Sequence, residues 1–179
     1  MSSSQFPVAG GATLRYQLVP RVLCFVCSGE DVLLLKGAPD KKIWPGKYNG
    51  LGGHVERGES VHAAARREIQ EEAGIRVVDL RLRGIVTIDP GSQAGIGMFV
   101  FTAKAVGREY TTSPEGALEW VPLSQAPALD MVADLPVLLP YILSLPPGAA
   151  PFGAHYHYDA QDHLSIEFYS EDTGTDRAA

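Results

Sequence analysis

An α/β/α sandwich, built on a mixed and largely antiparallel sheet, is the α+β fold that this sequence predicts. Three observations carry the prediction. Short runs rich in Val, Ile, Leu, Phe and Tyr recur between turn signals, as strands do. One segment carries a helix start and a helix stop at the right spacing. Hairpin-type turns join neighbouring runs near both ends of the chain, which favours antiparallel pairing between layers of helix.

The elements follow in order. Strand runs fall at about 13–17, 20–28, 32–36, 76–88, 97–106 and 118–122. Ser28-Gly29-Glu30-Asp31 is the hairpin turn between the second and third of these. A helix over about 60–73 follows the N-cap residue Ser60 and stops at Gly74, the usual residue just past a helix end. A second helix is expected over about 131–144, with Pro136 and Pro140 blurring its limits. Ala154–Asp159 and Leu164–Tyr169 close the chain as strands around the turn at 160–163. The first dozen residues and the last ten, 170–179, are polar or small and are expected to fray. No repeat or linker interrupts the pattern, so residues 1–179 read as one domain with its core over about 18–170.

Composition limits the function. With 179 residues, 45% of them hydrophobic and 20% charged, the chain is in the ordinary globular range. Its net charge of −6 disfavours long nucleic acids and anionic membrane surfaces, both of which are bound through Lys and Arg. The N-terminus lacks the basic and apolar regions of a secretory signal, and the most apolar stretch, Leu135 to Pro146, is short of the ~18 residues of a membrane span. A cytoplasmic location is expected. Cys24 and Cys27 share a C-x-x-C spacing, but in a strand they face opposite sides and no second Cys/His pair follows. They are expected to be reduced core thiols.

The chemistry concentrates in Gly53-His-Val-Glu-Arg-Gly-Glu59 and the helix behind it. Glu68, Glu71 and Glu72 are spaced i, i+3, i+4, so one helical face carries three carboxylates. A solvated charged face would be the ordinary explanation. The helical wheel argues otherwise, because Val61, Ala64, Ala65, Ile69 and Ala73 form the apolar stripe and Glu68 and Glu72 fall within that sector. Carboxylates partly buried beside one another need a cation or a proton. Oxygen ligands without a Cys or His cluster favour Mg²⁺, with Mn²⁺ as a substitute. Arg67 can neutralise Glu59, and Gly52-Gly53 permits close approach of a backbone carbonyl or a substrate.

This segment resembles the box of the Nudix (MutT-type) hydrolases, G-x5-E-x7-R-E-U-x-E-E-x-G-U with U a bulky aliphatic. Gly53, Glu59, Arg67, Glu68, Glu71, Glu72 and Gly74 fill the fixed positions, and Ile69 and Ile75 the aliphatic ones. A chance match is on the order of 10⁻⁹ per start position at ordinary residue usage. The resemblance, over about residues 18–170, implies the family's sandwich fold and Mg²⁺-dependent hydrolysis of a diphosphate linked to another moiety. It implies metal binding by Gly53, Glu68, Glu71 and Glu72, a salt bridge between Glu59 and Arg67, and a general base at Glu71 or Glu72.

Flanking residues address the substrate. Trp44-Pro-Gly-Lys47-Tyr48-Asn49-Gly50 is similar to the base-binding segment of the oxidised-purine nucleoside triphosphatases, which implies that Asn49 meets a purine edge; an Asn-Gly turn is the alternative. Glu115-Gly-Ala-Leu-Glu119-Trp120 resembles the element after the box, making Glu115 a further metal ligand with Glu119 as substitute and Trp120 a core residue. Asp130-Met-Val-Ala-Asp134-Leu135 resembles a base-holding segment in which Val132 stands for a Trp and Leu135 for a second Asp, leaving Asp134. His155 and His157 are expected at the surface or on a pocket wall. Lys36, Lys41, Lys42 and Lys47 against Asp40 make the preceding loop locally basic, placing Lys36 and Lys47 among the substrate-binding residues.

The expected activity is cleavage of purine nucleoside triphosphates, oxidised ones included, to the monophosphate and pyrophosphate. The expected partner is this small nucleotide, with no long nucleic acid and no membrane, and the chain as a monomer or homodimer. An ADP-ribose or nucleotide-sugar pyrophosphatase is the alternative suggested by Pro90, and a non-catalytic nucleotide-binding module is a third. Five of the 21 acids belong to the box centre, so the remainder nearly balance the 15 Lys and Arg.

Overall fold

Alternation along the first strand sets the layering. In β1 (Gln17–Ser28), Val22, Cys24 and Val26 enter one apolar cluster while Leu23 and Phe25 enter another, since successive strand side chains leave opposite faces. β2 (Asp31–Gly37) divides likewise, with Leu33 and Leu35 on the first side and Val32 and Leu34 on the second. Helix α1 (Val61–Ala73) completes the first cluster with Ala64, Ala65, Ile69 and Ala73. Helix α2 (Leu135–Ser144) completes the second with Leu135, Leu138, Leu139 and Ile142. One sheet with a core on each side makes the α/β/α sandwich.

The protein is described by a computed structural model covering residues 15–169 other than 112, 114, 160 and 162, together with 177–178. The remaining strands are β3 (Tyr48–Asn49), β4 (Val77–Asp89), β5 (Ala94–Ala105), β6 (Gly116–Pro122), β7 (Phe152–Tyr158), β8 (Leu164–Tyr169) and β9 (Arg177–Ala178). Their order is β3-β2-β1-β5-β4-β7-β8-β9, with β6 also on β2. Among the described strands only β1–β5 and β4–β7 pair in parallel, so the sheet is mixed and mainly antiparallel.

Three sequence expectations are corrected. The runs at 13–17 and 20–28 are not two strands: β1 starts at Gln17 and continues through Pro20, and residues 13–14 lie outside the described residues. Pro20 is tolerated because its carbonyl, and hence its missing N–H, faces the sparsely paired edge where Val55 N donates to it at 3.0 Å. The second helix begins at Leu135, not 131, because Met131 bridges to Tyr48 and Val132 N donates to the Tyr48 carbonyl. Pro136 then occupies the first turn, where no donor is needed. At the C-terminus, Arg177–Ala178 pairs with Glu167 and Phe168 at the edge of β8 rather than fraying. The first dozen residues, 170–176 and 179 lie outside the described residues.

Cys24 and Cys27 are free and pack against opposite clusters. Burial pushes the Cys24 thiol far up, which keeps it inert. Among the described residues no helix is long and apolar enough to cross a membrane.

Ile69 is the fully buried anchor of α1. Ile69→Ala is expected to lower stability by about 2–5 kcal/mol in urea unfolding with the far-UV spectrum retained.

Candidate active site

β1 and β2 pair only where Val26–Ser28 meets Asp31–Leu33, and beyond that point they separate. The chain at 48–55 fills the gap: β3 pairs with β2, while Leu51 and His54 bridge to Cys24 and Arg21 of β1. Val22 N donates to the Gly53 carbonyl at 2.9 Å, and Cys24 N to that of Leu51 at 2.7 Å. Gly52 has φ +151, and a Cβ there would lie 2.1 Å from the Val22 carbonyl oxygen, so only glycine fits. At Gly53 a Cβ would lie 2.3 Å from Glu68 Oε1: the bare Cα is what lets the Glu68 carboxylate reach the loop.

Helix α1 delivers the acids to this loop. Its start is capped by Ser60 Oγ, which accepts from Ala63 N at 3.2 Å, and its end by Gly74, at φ +63, whose N–H donates to Gln70. Arg67 then ties the acids together. Its Nη1 donates to Glu68 Oε1 and Glu71 Oε2, both at 2.9 Å, and its Nη2 donates to Glu59 Oε1 at 2.7 Å and to the His54 carbonyl at 2.9 Å. Arg67 holds the Glu59 carboxyl well below the usual range, chiefly through these hydrogen bonds.

Glu72 faces the other way. It is 5% exposed and accepts from Gly52 N at 2.8 Å. Burial pushes its carboxyl up to about 8; the Gly52 N–H opposes this, and the charges of Glu115 and Glu68 add to it. Glu115 accepts from Lys41 Nζ at 2.7 Å. Among the described residues no three His, Cys, Asp or Glu side chains converge as a preformed metal cluster, since Arg67 holds three of the acids and Gly52 the fourth. The donors nevertheless fit a hard divalent cation. They are all oxygens, and a buried carboxylate beside like charges is the group a cation stabilises most.

Beside the acids runs a cleft of two adjoining cavities. The first is mainly apolar, with Ile88, Ile96, Met98 and Val132 on its walls and Asp134 and Tyr156 at its polar end. The second is charged, with Lys41, Lys42, Lys47, Glu72 and Glu115. Arg21, Trp44, Asn49, Gly50 and Gly52 line both.

Comparison with known proteins agrees with this geometry. Residues 17–142 match the NUDIX domain family. The chain belongs to that family. It is 30% identical over 143 residues to a mouse (Mus musculus) protein named oxidized purine nucleoside triphosphate hydrolase, covering 79% of this chain and 88% of the relative. The zebrafish (Danio rerio) protein of the same name is 32% identical over 124 residues, covering 69% and 80%. A MutT protein structure from Bacillus halodurans superposes with a TM-score of 0.71 at 28% identity, covering 84% of this chain and 97% of that one. Nudix hydrolases generally work with a divalent metal.

The expected site residues divide around the Nudix box. Gly53, Glu59, Arg67, Glu68, Glu71 and Glu72 come together as one loop–helix unit, and Glu115 reaches the charged cavity from the chain just before β6. Asn49 stands where the cavities meet; its Oδ1 accepts from Gly50 N at 2.8 Å, so the amide N–H groups are what it offers a ligand. Asp134, at the start of α2, is buried in the apolar cavity, and burial pushes its carboxyl up to about 6 against its own and Leu135's N–H groups. Lys47 lines the charged cavity and is paired with Asp130 at 2.5 Å.

Other expectations are redirected. Lys36 is on neither cavity wall; its Nζ lies 5.2 Å from the centre of the Tyr48 ring, because its strand parity turns it to the α2 side. Glu119 shares that side and accepts from the Tyr48 hydroxyl at 2.5 Å, away from the box. Trp120, by contrast, packs against the α1-side core as expected. Leu135 is in the α2-side core, while Val132 remains on the cavity wall. His155 and His157 stack at 5.5 Å on the face of β7 opposite Tyr156, so neither lines the cleft. Pro90 lies in the β4–β5 turn, where Gly91 N donates to Asp89 at 2.8 Å, and is also off both walls. Arg21, Trp44 and Tyr156 line the cleft without having been singled out. An Arg inside an otherwise apolar strand was the available signal for the first; the other two are placed by tertiary packing.

Two outcomes are expected. Gly53→Ala suits the backbone but displaces the Glu68 carboxylate, so it should leave the fold intact and weaken divalent-cation affinity about 10–100-fold, read by cation titration. Asp134 has its folded value raised from 3.8 to about 6, so between these pH values the folded state keeps a proton that the unfolded state has lost. Stability therefore falls as pH rises through that window. Asp134→Asn should gain about 2–3 kcal/mol over the parent at pH 7 and little at pH 4, read from urea midpoints.

Proposed function

We propose that this chain hydrolyses purine nucleoside triphosphates, oxidised purines included, to the monophosphate and pyrophosphate, with Mg²⁺ as its cation and Mn²⁺ as a substitute. The observation that carries the reading is the two-ended cleft. Its apolar end, with Asn49 and Asp134, suits a purine, and its charged end, with Lys41, Lys42, Lys47, Glu72 and Glu115, suits a polyphosphate and its metal.

Glu68, Glu71, Glu72 and Glu115, with the Gly53 backbone, would hold the cation. When bound, it supplies charge neutralisation at the phosphate oxygens and acidifies a coordinated water. Arg67 keeps Glu59, Glu68 and Glu71 in fixed positions without itself reaching the cleft wall. Of the box acids Glu72 is the one on that wall, while the Glu71 side chain is 58% exposed and held by Arg67. That position supports Glu72 as the general base, taking the proton as the water oxygen bonds to phosphorus and the bond to the bridging oxygen breaks. Lys41 and Lys47 steer the polyphosphate toward this end.

At the other end Asn49 donates to the base. Asp134 above pH 6 is a carboxylate, an acceptor-only group that suits a base edge enriched in N–H donors, as oxidation at C8 of a purine makes it. The names of the mouse and zebrafish relatives point the same way. The ADP-ribose reading loses its support with Pro90 in a turn, and a non-catalytic module sits poorly with an intact set of box glutamates.

A panel of purine triphosphates with Mg²⁺ should release pyrophosphate and the monophosphate, and chelation with EDTA should stop turnover. Release of AMP and a sugar phosphate from ADP-ribose, with triphosphates untouched, would overturn the assignment. Glu72→Gln is expected to lose at least about a hundredfold in rate with unchanged folding.

A further inference from the structure

Arg21 stands where the two cavities meet, and its charge is not spent within the protein. Lys41 is paired with Glu115, Lys47 with Asp130, and Arg67 with Glu59, Glu68 and Glu71. For the Arg21 guanidinium no acid or carbonyl acceptor lies within hydrogen-bond distance among the described residues. It is also partly buried, two residues before Leu23 in β1, and both of these residues line the cleft with Asn49 of β3. A half-buried guanidinium without acceptors is costly unless a ligand brings them.

Its backbone is rigid. Arg21 pairs with Met98 of β5 on one side and bridges to His54 on the other, in a strand whose ladder with β5 runs from Gln17 to Cys27. The guanidinium is therefore presented from a fixed platform rather than from a loop, which lowers the ordering cost of binding. Lys42, the one lysine of the cavity wall without an ion pair among the described residues, is an exposed loop residue confined to the charged end.

Position then selects the ligand group. Asn49 and Asp134 mark the base end, and Glu72 marks the reacting end. In a nucleotide laid between them, the group at the junction is the phosphate next to the ribose. A guanidinium fork matches two oxygens of one phosphate, whereas an ammonium offers only a point charge.

We infer that Arg21 is a substrate-binding residue that clamps the α-phosphate of the bound nucleotide through its guanidinium fork. This rests on the proposed occupancy of the cleft by a nucleoside phosphate. The clamp sets the register of the chain of phosphates against Glu72, and it does so whatever the base.

The test uses GMP, AMP and guanosine as probes, with affinities read by calorimetry on the full chain. Arg21→Met, which keeps an unbranched stem without the charge, should weaken GMP and AMP by the same factor of about ten or more and leave guanosine unchanged. Arg21→Lys should fall between, keeping charge without the fork. The kcat/KM for guanine and adenine triphosphates should drop by a common factor, with the thermal midpoint unchanged. A loss for GMP but not AMP, or an equal loss for guanosine, would make Arg21 a base reader and overturn the clamp. Unchanged GMP affinity would overturn it as well. If the parent protein itself binds neither monophosphate, the nucleotide reading of the cleft falls first and the clamp with it, so the two failures are distinguishable.

Discussion

The contact between the 51–53 loop and α1 is the constraint on which the site depends. Gly52 N donates to Glu72, the Gly52 Cα presses on the Val22 carbonyl, and the Gly53 Cα leaves room for Glu68. Strand, loop and helix meet at distances that a single methyl group would forbid. The loop can reach that position because β1 and β2 separate after a short pairing, and 48–55 is held between them by backbone bonds to both. The sheet thus opens at one point, and the acids, the loop and the cleft are all built around that opening.

Electrostatics gives this arrangement its character. Three glutamates on one helix, with Glu59 before it, would repel each other without a cation. Arg67 meets three of the four with one planar fork, a task that a Lys point charge could not perform. Glu72 is left outside the cluster, buried, with the Gly52 N–H as its partner. The division matters: one set of acids is rigidly held, and one acid faces the cleft with a carboxyl that burial makes easy to protonate. The chain's acid excess is concentrated there rather than spread over its surface. That is consistent with a small metal-bearing anion as ligand and not with a long polyanion.

The two faces of the sheet have separate duties. The α1 side carries the box acids above an apolar cluster of Val22, Cys24, Leu33 and Phe101. The α2 side provides the apolar cavity, whose wall is the exposed margin of the larger cluster around Phe25, Leu138 and Tyr156. Arg21 and Asn49 lie at the seam between them. A ligand that is apolar at one end and multiply charged at the other needs such a seam, and a one-sided pocket would leave half of it unsatisfied.

Sequence alone determined what depends on neighbours a few residues apart. Helix α1 with its Ser60 and Gly74 caps, the shared face of Glu68, Glu71 and Glu72, the hairpin at 28–31 and the opposed faces of Cys24 and Cys27 are all local periodicity or local capping. The box pattern was equally readable, because its spacing is fixed along the chain. Tertiary structure decided everything that depends on which strand lies beside which. It turned Lys36 and Glu119 to the far side from the box, since one step of strand parity reverses a side chain's face. It also moved the start of α2 past Met131, whose pairing with Tyr48 is a contact across more than eighty residues. And it brought Arg21 from β1, Asn49 from β3 and Asp134 from α2 to one cleft, because an opening between two strands has no signature in either strand's own sequence.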